Sequence, residues 1–210
     1  IGMAGAIEIA RAFKQGPRPD RTIVFSAWTA EERGLLGSEY YADHPWLPLE
    51  TTVANFTMDV LQPNGLARDV VLVGAGQNEL ESLLTQKAAG QGRVVTPHAK
   101  PERGLAFRAD HFPFARRGVP ALLLMGMGGG HDLVNGGREA GDRWVADFTG
   151  KCYHQACDRW SESWDLRGAA QDVTLIYQMA SQLANSRAWP QWNPGNEFKA
   201  VRDSTVAQRK

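Results

Sequence analysis

At 210 residues, with 43% apolar and 22% charged side chains, the chain has the length and balance of one globular domain with a substantial core. Its 23 acidic and 23 basic residues cancel to a formal net charge of zero, which excludes the basic footprint of a nucleic-acid binder or of a protein drawn to an anionic membrane. No apolar run approaches the length that crosses a bilayer, and no stretch reads as a signal peptide.

Met3, Ile7, Ala10 and Phe13 recur at helical spacing and predict an opening helix over "IGMAGAIEIARAFK". No Ser, Thr, Asp or Asn precedes it as a cap, and the first residue is Ile1. Both features predict the C-terminal part of a longer protein. After a turn at "GPRPD", the β-rich run "TIVFSAW" (22–28) predicts a buried strand, and a helix follows from Leu35 to Ala42. "TVANFTMDV" (52–60) and "DVVLVG" (69–74) predict two more strands. "NELESLLTQKAA" predicts an amphipathic helix and "GRVVTP" a short strand. "DHFPFARRG" predicts a short helix leading into strand "VPALLLM" (119–125). Residues 126–150 are glycine-rich and read as irregular. The final helix, "RGAAQDVTLIYQMASQLANS", presents Val173, Ile176, Tyr177, Met179, Ala180 and Leu183 as its buried stripe.

Strands alternating with helices predict an α/β sheet covered on both faces. In such sheets sites gather at the carboxyl ends of strands. Glu31 and Glu32 follow one predicted strand, and Asp59 ends the next. A single carboxylate there needs no more than a capping role. Three of them, with His154 downstream in "CYHQACD", supply the oxygen and imidazole donors of catalytic zinc. Successive side chains diverge, so one glutamate can ligate a metal while its neighbour serves as general base.

"TAEERGLLGSEYYA", the "MD" at 58–59, "FRADHFPFARRGVPAL" and "YHQACD" occur in the order and spacing of the co-catalytic zinc aminopeptidases. That family also includes glutamate carboxypeptidases and glutaminyl cyclases. The resemblance covers most of the chain, and the Glu-Glu-x-Gly-Leu-x-Gly-Ser block is its most specific part. It implies a three-layer α/β/α sandwich with a mostly parallel or mixed central sheet. Residues 1–210 then form the C-terminal portion of a single zinc-peptidase catalytic domain. By position, Glu31 resembles the general base, Glu32 and His154 ligands of one zinc, and Asp59 a ligand of the other. Asp158 is similar to a residue that orders the ligand loop. Asp110 and His111 match a Ser-Asp-His block that lines or supports the cleft, with Ala109 in place of Ser. Two further ligands of the family, in His-x-Asp and Asp-Asn-Ala motifs, have no counterpart here. The 210 residues alone are therefore expected to bind zinc poorly and to hydrolyse slowly or not at all.

The implied activity is a zinc-dependent exopeptidase acting on peptides, most simply an aminopeptidase, with export from the cell expected. A glutaminyl cyclase on the same scaffold and a non-catalytic binding domain are the alternatives. Survival of Glu31, Glu32, Asp59 and His154 together speaks against the second, which needs none of them. His44, His98 and His131 match no ligand position and read as surface or loop residues. "GAGQNE" and "GMGGGHD" fail the spacing of a dinucleotide loop and read as turns. Cys152 and Cys157 bracket His154 as either a disulfide or two free thiols, and a zinc knuckle there lacks a fourth ligand. Trp160, Trp164, Trp189 and Trp192 read as core or tail packing.

Overall fold

The computed structural model describes residues 1–209. Helix α1 (Gly2–Gln15) and α2 (Leu36–Asp43) precede β1 (Asn55–Met58) and β2 (Asp69–Val73); α3 (Leu80–Gly90), β3 (Val94–Pro97), α4 (Phe112–Arg116) and β4 (Ala121–Leu124) follow. Three helices close the chain: α5 (Gly137–Lys151), α6 (Arg167–Ala184) and α7 (Lys199–Ser204). The four strands form one mixed sheet in the order β1-β4-β2-β3. β1 runs parallel to β4 and β2 parallel to β3, while β2 and β4 are antiparallel.

The central strands β2 and β4 are buried along their whole length, as their unbroken apolar runs require. Alternate side chains feed different cores. Val70, Leu72, Leu122 and Leu124 pack with Ile9 of α1, Leu80 and Leu84 of α3, and Leu175, Ile176, Met179 and Leu183 of α6. Val73, Leu123 and Met125 instead meet Leu105, Ala109 and Met127, with Phe148 of α5 against them. α2 and α4 pack together nearby through Ala42 and Phe114, so helices cover both faces of the sheet. Residues such as Leu84, Leu175 and Met179 are wholly enclosed, each burial contributing about 1.5–3 kcal/mol.

Two predicted elements differ. Residues 22–28 form no strand. Val24 and Phe25 remain 45% and 43% exposed, and the run has no ladder partner among the described residues. An apolar β-branched run becomes a strand only where a neighbour offers backbone groups. Here Trp28 packs sideways on Tyr41 and Phe114, at ring-centroid distances of 5.3 and 5.6 Å. Residues 126–150 are not irregular throughout, because α5 occupies Gly137–Lys151. It lacks a broad apolar stripe and is supported by Glu139–Arg143 and Asp147–Lys151 pairs one turn apart, at 2.5 and 2.6 Å. Its first turns are clasped by Arg138, which donates to Asp69 Oδ2 at 2.6 Å. Gly141 passes so near the backbone of His131 that an added Cβ would sit 2.1 Å from its carbonyl oxygen.

The C-terminal segment is a strap across the domain. Trp192 is buried and its indole N–H donates to Gly118 O at 3.0 Å. Arg202 is enclosed, donating to Thr52 O at 2.9 Å and to Val53 O just ahead of β1, and its guanidinium and that of Arg21 both lie over the Trp189 ring, 5.7 and 4.9 Å from its centroid. Trp189 and Trp192 thus serve tail packing, whereas Trp160 is exposed. His98 and His131 lie in loops as read, but both are buried there.

Candidate active site

The glutamate pair sits on a tight 3₁₀ turn, Glu31–Arg33, entered through Ala30 in the left-handed region (φ 56°) and left through Leu35 in the same region (φ 60°). Non-glycine residues seldom adopt that backbone conformation, so surrounding contacts must hold it. Glu31 O accepts from the N–H groups of Gly34 and Leu35, and Thr29 O from that of Gly37, all at 2.8–3.0 Å. A Cβ on Gly37 would stand 2.7 Å from both the N and O of Thr29, so only glycine lets α2 press on this turn. Ser38 Oγ then donates to Asp110 Oδ1 at 2.6 Å, tying α2 to the turn that opens α4. Arg117 reinforces the join by donating to Glu39 at 2.9 Å and to Asp43. Each defined position of "EERGLLGS" after the two glutamates therefore fixes where those glutamates stand.

His154 reaches the same place from the far side of the chain. Its Nε2 lies 2.6 Å from Glu32 Oε1, with the two side chains 48% and 63% exposed. It too has a left-handed backbone (φ 61°), just inside a disulfide between Cys152 and Cys157 whose Cα atoms are 5.2 Å apart. Of the two states open to these cysteines, the bonded one is found. Tyr153, which sequence reasoning passed over, stacks on the imidazole at a centroid distance of 3.7 Å. Its place beside His154 in "CYHQ" was the only signal.

Asp59 follows β1 directly and completes the group electrostatically. Burial raises its carboxyl above the ordinary range, and the charges of Asp110 and Glu32 raise it further. Glu31 is pushed up to about 7 by burial first, then by Glu32, Asp110 and Asp59, with His154 opposing. Burial also raises Asp110, against the Ser38 hydrogen bond. Four carboxylates thus feel one another across three chain segments. His111 stands apart, buried at the head of α4 with Nδ1 unpartnered and its imidazole lowered to about 4 by burial. Asp158 is exposed and acts through its backbone N–H, which donates to Gln155 O at 2.9 Å. A groove of about 540 Å³ lined by Gln86, Lys87, Tyr177 and Gln182 holds none of these side chains.

Residues 1–178 match the family described as peptidase family M28. The chain belongs to that family. It is 28% identical to leupeptin-inactivating enzyme 1 of Streptomyces exfoliatus over 162 residues, which is 75% of this chain and 34% of that protein. It is 31% identical to a glutamate carboxypeptidase 2 homolog of Caenorhabditis elegans over 143 residues, 62% of this chain and 17% of that one. The aminopeptidase from Aneurinibacillus sp. strain AM-1 superposes with a TM-score of 0.53 at 19% identity, covering 92% of this chain and 39% of its own, which shows the shared fold. This M28 chain spans about a third or less of the curated relatives named here.

Peptidases of the M28 family are generally zinc-dependent. Glu32 and His154 offer zinc a carboxylate and an imidazole in direct contact, and a cation would offset the repulsion that lifts Glu31 and Asp59. Among the described residues no group of three or more His, Cys, Asp or Glu converges tightly enough to hold a metal ion alone. The donors suit the metal in kind, and they form a partial set.

Proposed function

We propose that this chain carries part of the active site of a zinc-dependent exopeptidase, an aminopeptidase removing N-terminal residues from peptides. The observation that supports the reading is the His154–Glu32 contact of 2.6 Å beside a second glutamate whose carboxyl is raised to about 7. Glu32 and His154 would hold one zinc and Asp59 would belong to another. Bound there, zinc supplies Lewis acidity to the scissile carbonyl and the attacking water. Glu31 is the general base. Next to Glu32 on the same 3₁₀ turn, its carboxylate accepts a proton from the water at its oxygen and gives it to the leaving amine. Ser38 orients Asp110 at the edge of the cleft, and Tyr153 holds the His154 ring by stacking. The Cys152–Cys157 bond agrees with an exported protein.

The test is Glu31→Gln in the full-length protein. The reading expects kcat/KM on an unblocked peptide to fall by about 10²–10⁴-fold with zinc content unchanged. Undiminished hydrolysis with zinc bound removes Glu31 from this role. N-terminal acetylation of the peptide should abolish cleavage; a blocked peptide that still loses its last residue marks a carboxypeptidase instead.

A further inference from the structure

The turn that carries His154 is fastened to the molecule at few points. Among the described residues, the backbone N–H groups from Cys152 to Arg159 bond only among themselves and to the end of α5: Cys152 and Tyr153 to Phe148 O, Gln155 to Cys152 O, Asp158 to Gln155 O, Arg159 to Cys157 O. The next bond from this stretch to another part of the chain is Asp165 N–H to Pro63 O, at 2.9 Å. Residues 154–160 are all exposed. His154 nevertheless keeps a left-handed backbone and a short contact with Glu32. His154 lies inside the closed ring of six residues from Cys152 to Cys157, with Tyr153 and Phe148 packed behind it at 5.9 Å. Cys157 is open to solvent, and the pair accounts for both cysteines of the chain.

We propose that Cys152–Cys157 is a thiol-exchange site for a dithiol reductant, and that its opening frees the turn and parts His154 from Glu32. A thiolate of the reductant attacks Sγ of Cys157, the more exposed of the two residues, forming a mixed disulfide and releasing Cys152 as thiolate. The second thiol of the reductant attacks its own mixed sulfur and releases Cys157. The reductant is oxidised by two electrons to a disulfide, and two protons complete the cysteine thiols. Without the ring, nothing in the backbone of this segment holds the φ of 61° at His154. The loss of a metal ligand that follows rests on the functional reading above; the release of the turn does not.

The native protein is treated with dithiothreitol and the His154 imidazole followed by NMR. The disulfide is expected to open in the folded protein at a rate within about tenfold of that in urea. The His154 signal should then move to that of a free imidazole while buried His111 and His131 hold theirs. Cys152→Ser with Cys157→Ser should give the reduced spectrum without reductant. Reduction that needs urea, or a His154 signal unchanged by both treatments, overturns the proposal. Zinc titration separates the two readings. In the full-length protein reduction and His154→Ala should each weaken zinc binding by about 10–100-fold. If His154→Ala leaves zinc affinity intact while the imidazole signal still shifts on reduction, the ligand assignment fails and the exchange site stands.

Discussion

Arg93 and Asp172 meet at 2.7 Å in the core beneath α6, with their side chains only 2% and 4% exposed. Arg93 also donates to Asp69 O and Gln91, so its charge is matched on several sides. Asp69, equally enclosed, is pushed up by burial but held well below the ordinary carboxylate range by the nearby His131 imidazole, 3.5 Å away, and by the Asp132 backbone N–H, which donates to it at 2.8 Å. At the rim, Glu32 alone touches the one imidazole, and burial followed by the neighbouring carboxylates raises Glu31 and Asp59 instead. One region spends its polar groups on matching charge, the other leaves charge unmatched. An unmatched cluster costs stability and is kept where a cation or a moving proton can use it.

The contrast can be broken most sharply on the matched side. Asp172→Ala strands the Arg93 guanidinium in the core and should cost about 3–5 kcal/mol in a urea titration, whereas replacing both partners by apolar residues should cost far less. Acid tests a second buried group. His111 is neutral in the fold, with a pKa of about 4 against about 6.5 when unfolded, so the unfolded chain binds more protons between those values. Stability should hold above pH 6.5 and decline by a few kcal/mol as pH falls to about 4. His111→Gln should flatten that slope. The smallest effect has the opposite sign. Asp59→Asn removes one of the crowded carboxylates and should stabilise the metal-free chain by about 0.5–1 kcal/mol, read as a higher thermal midpoint, while zinc binding falls.

Much of the fold was legible because it follows periodicity. α1, α3 and α6 stand where their apolar spacing put them, and Leu175 joins the α6 stripe as its most enclosed member, but α1 turns a different face inward: Met3 and Ile7 are exposed, and Gly5 and Ile9 are buried. β2 and β4 are the two plain apolar runs. The meeting of Glu32 with His154, 122 positions apart, was legible only through motif order, since no local pattern encodes so distant a contact. What stayed hidden depends on partners. Residues 22–28 carry strand composition without a neighbour to pair with, and α5 is held by ion pairs and one arginine clasp rather than an apolar face. His131 looked like a loop residue and is one, but Asp69, 3.5 Å away, lies 62 positions earlier in the chain.

The strap formed by Trp189, Trp192 and Arg202 lies beyond residue 178, where the match to the M28 family stops. The boundary of inherited likeness and the boundary of the folding unit are therefore different. Trimming the chain at the end of its recognisable stretch would uncap the Thr52 and Val53 carbonyls and empty the slot beneath Gly118. The damage would then be felt at the strand that delivers Asp59.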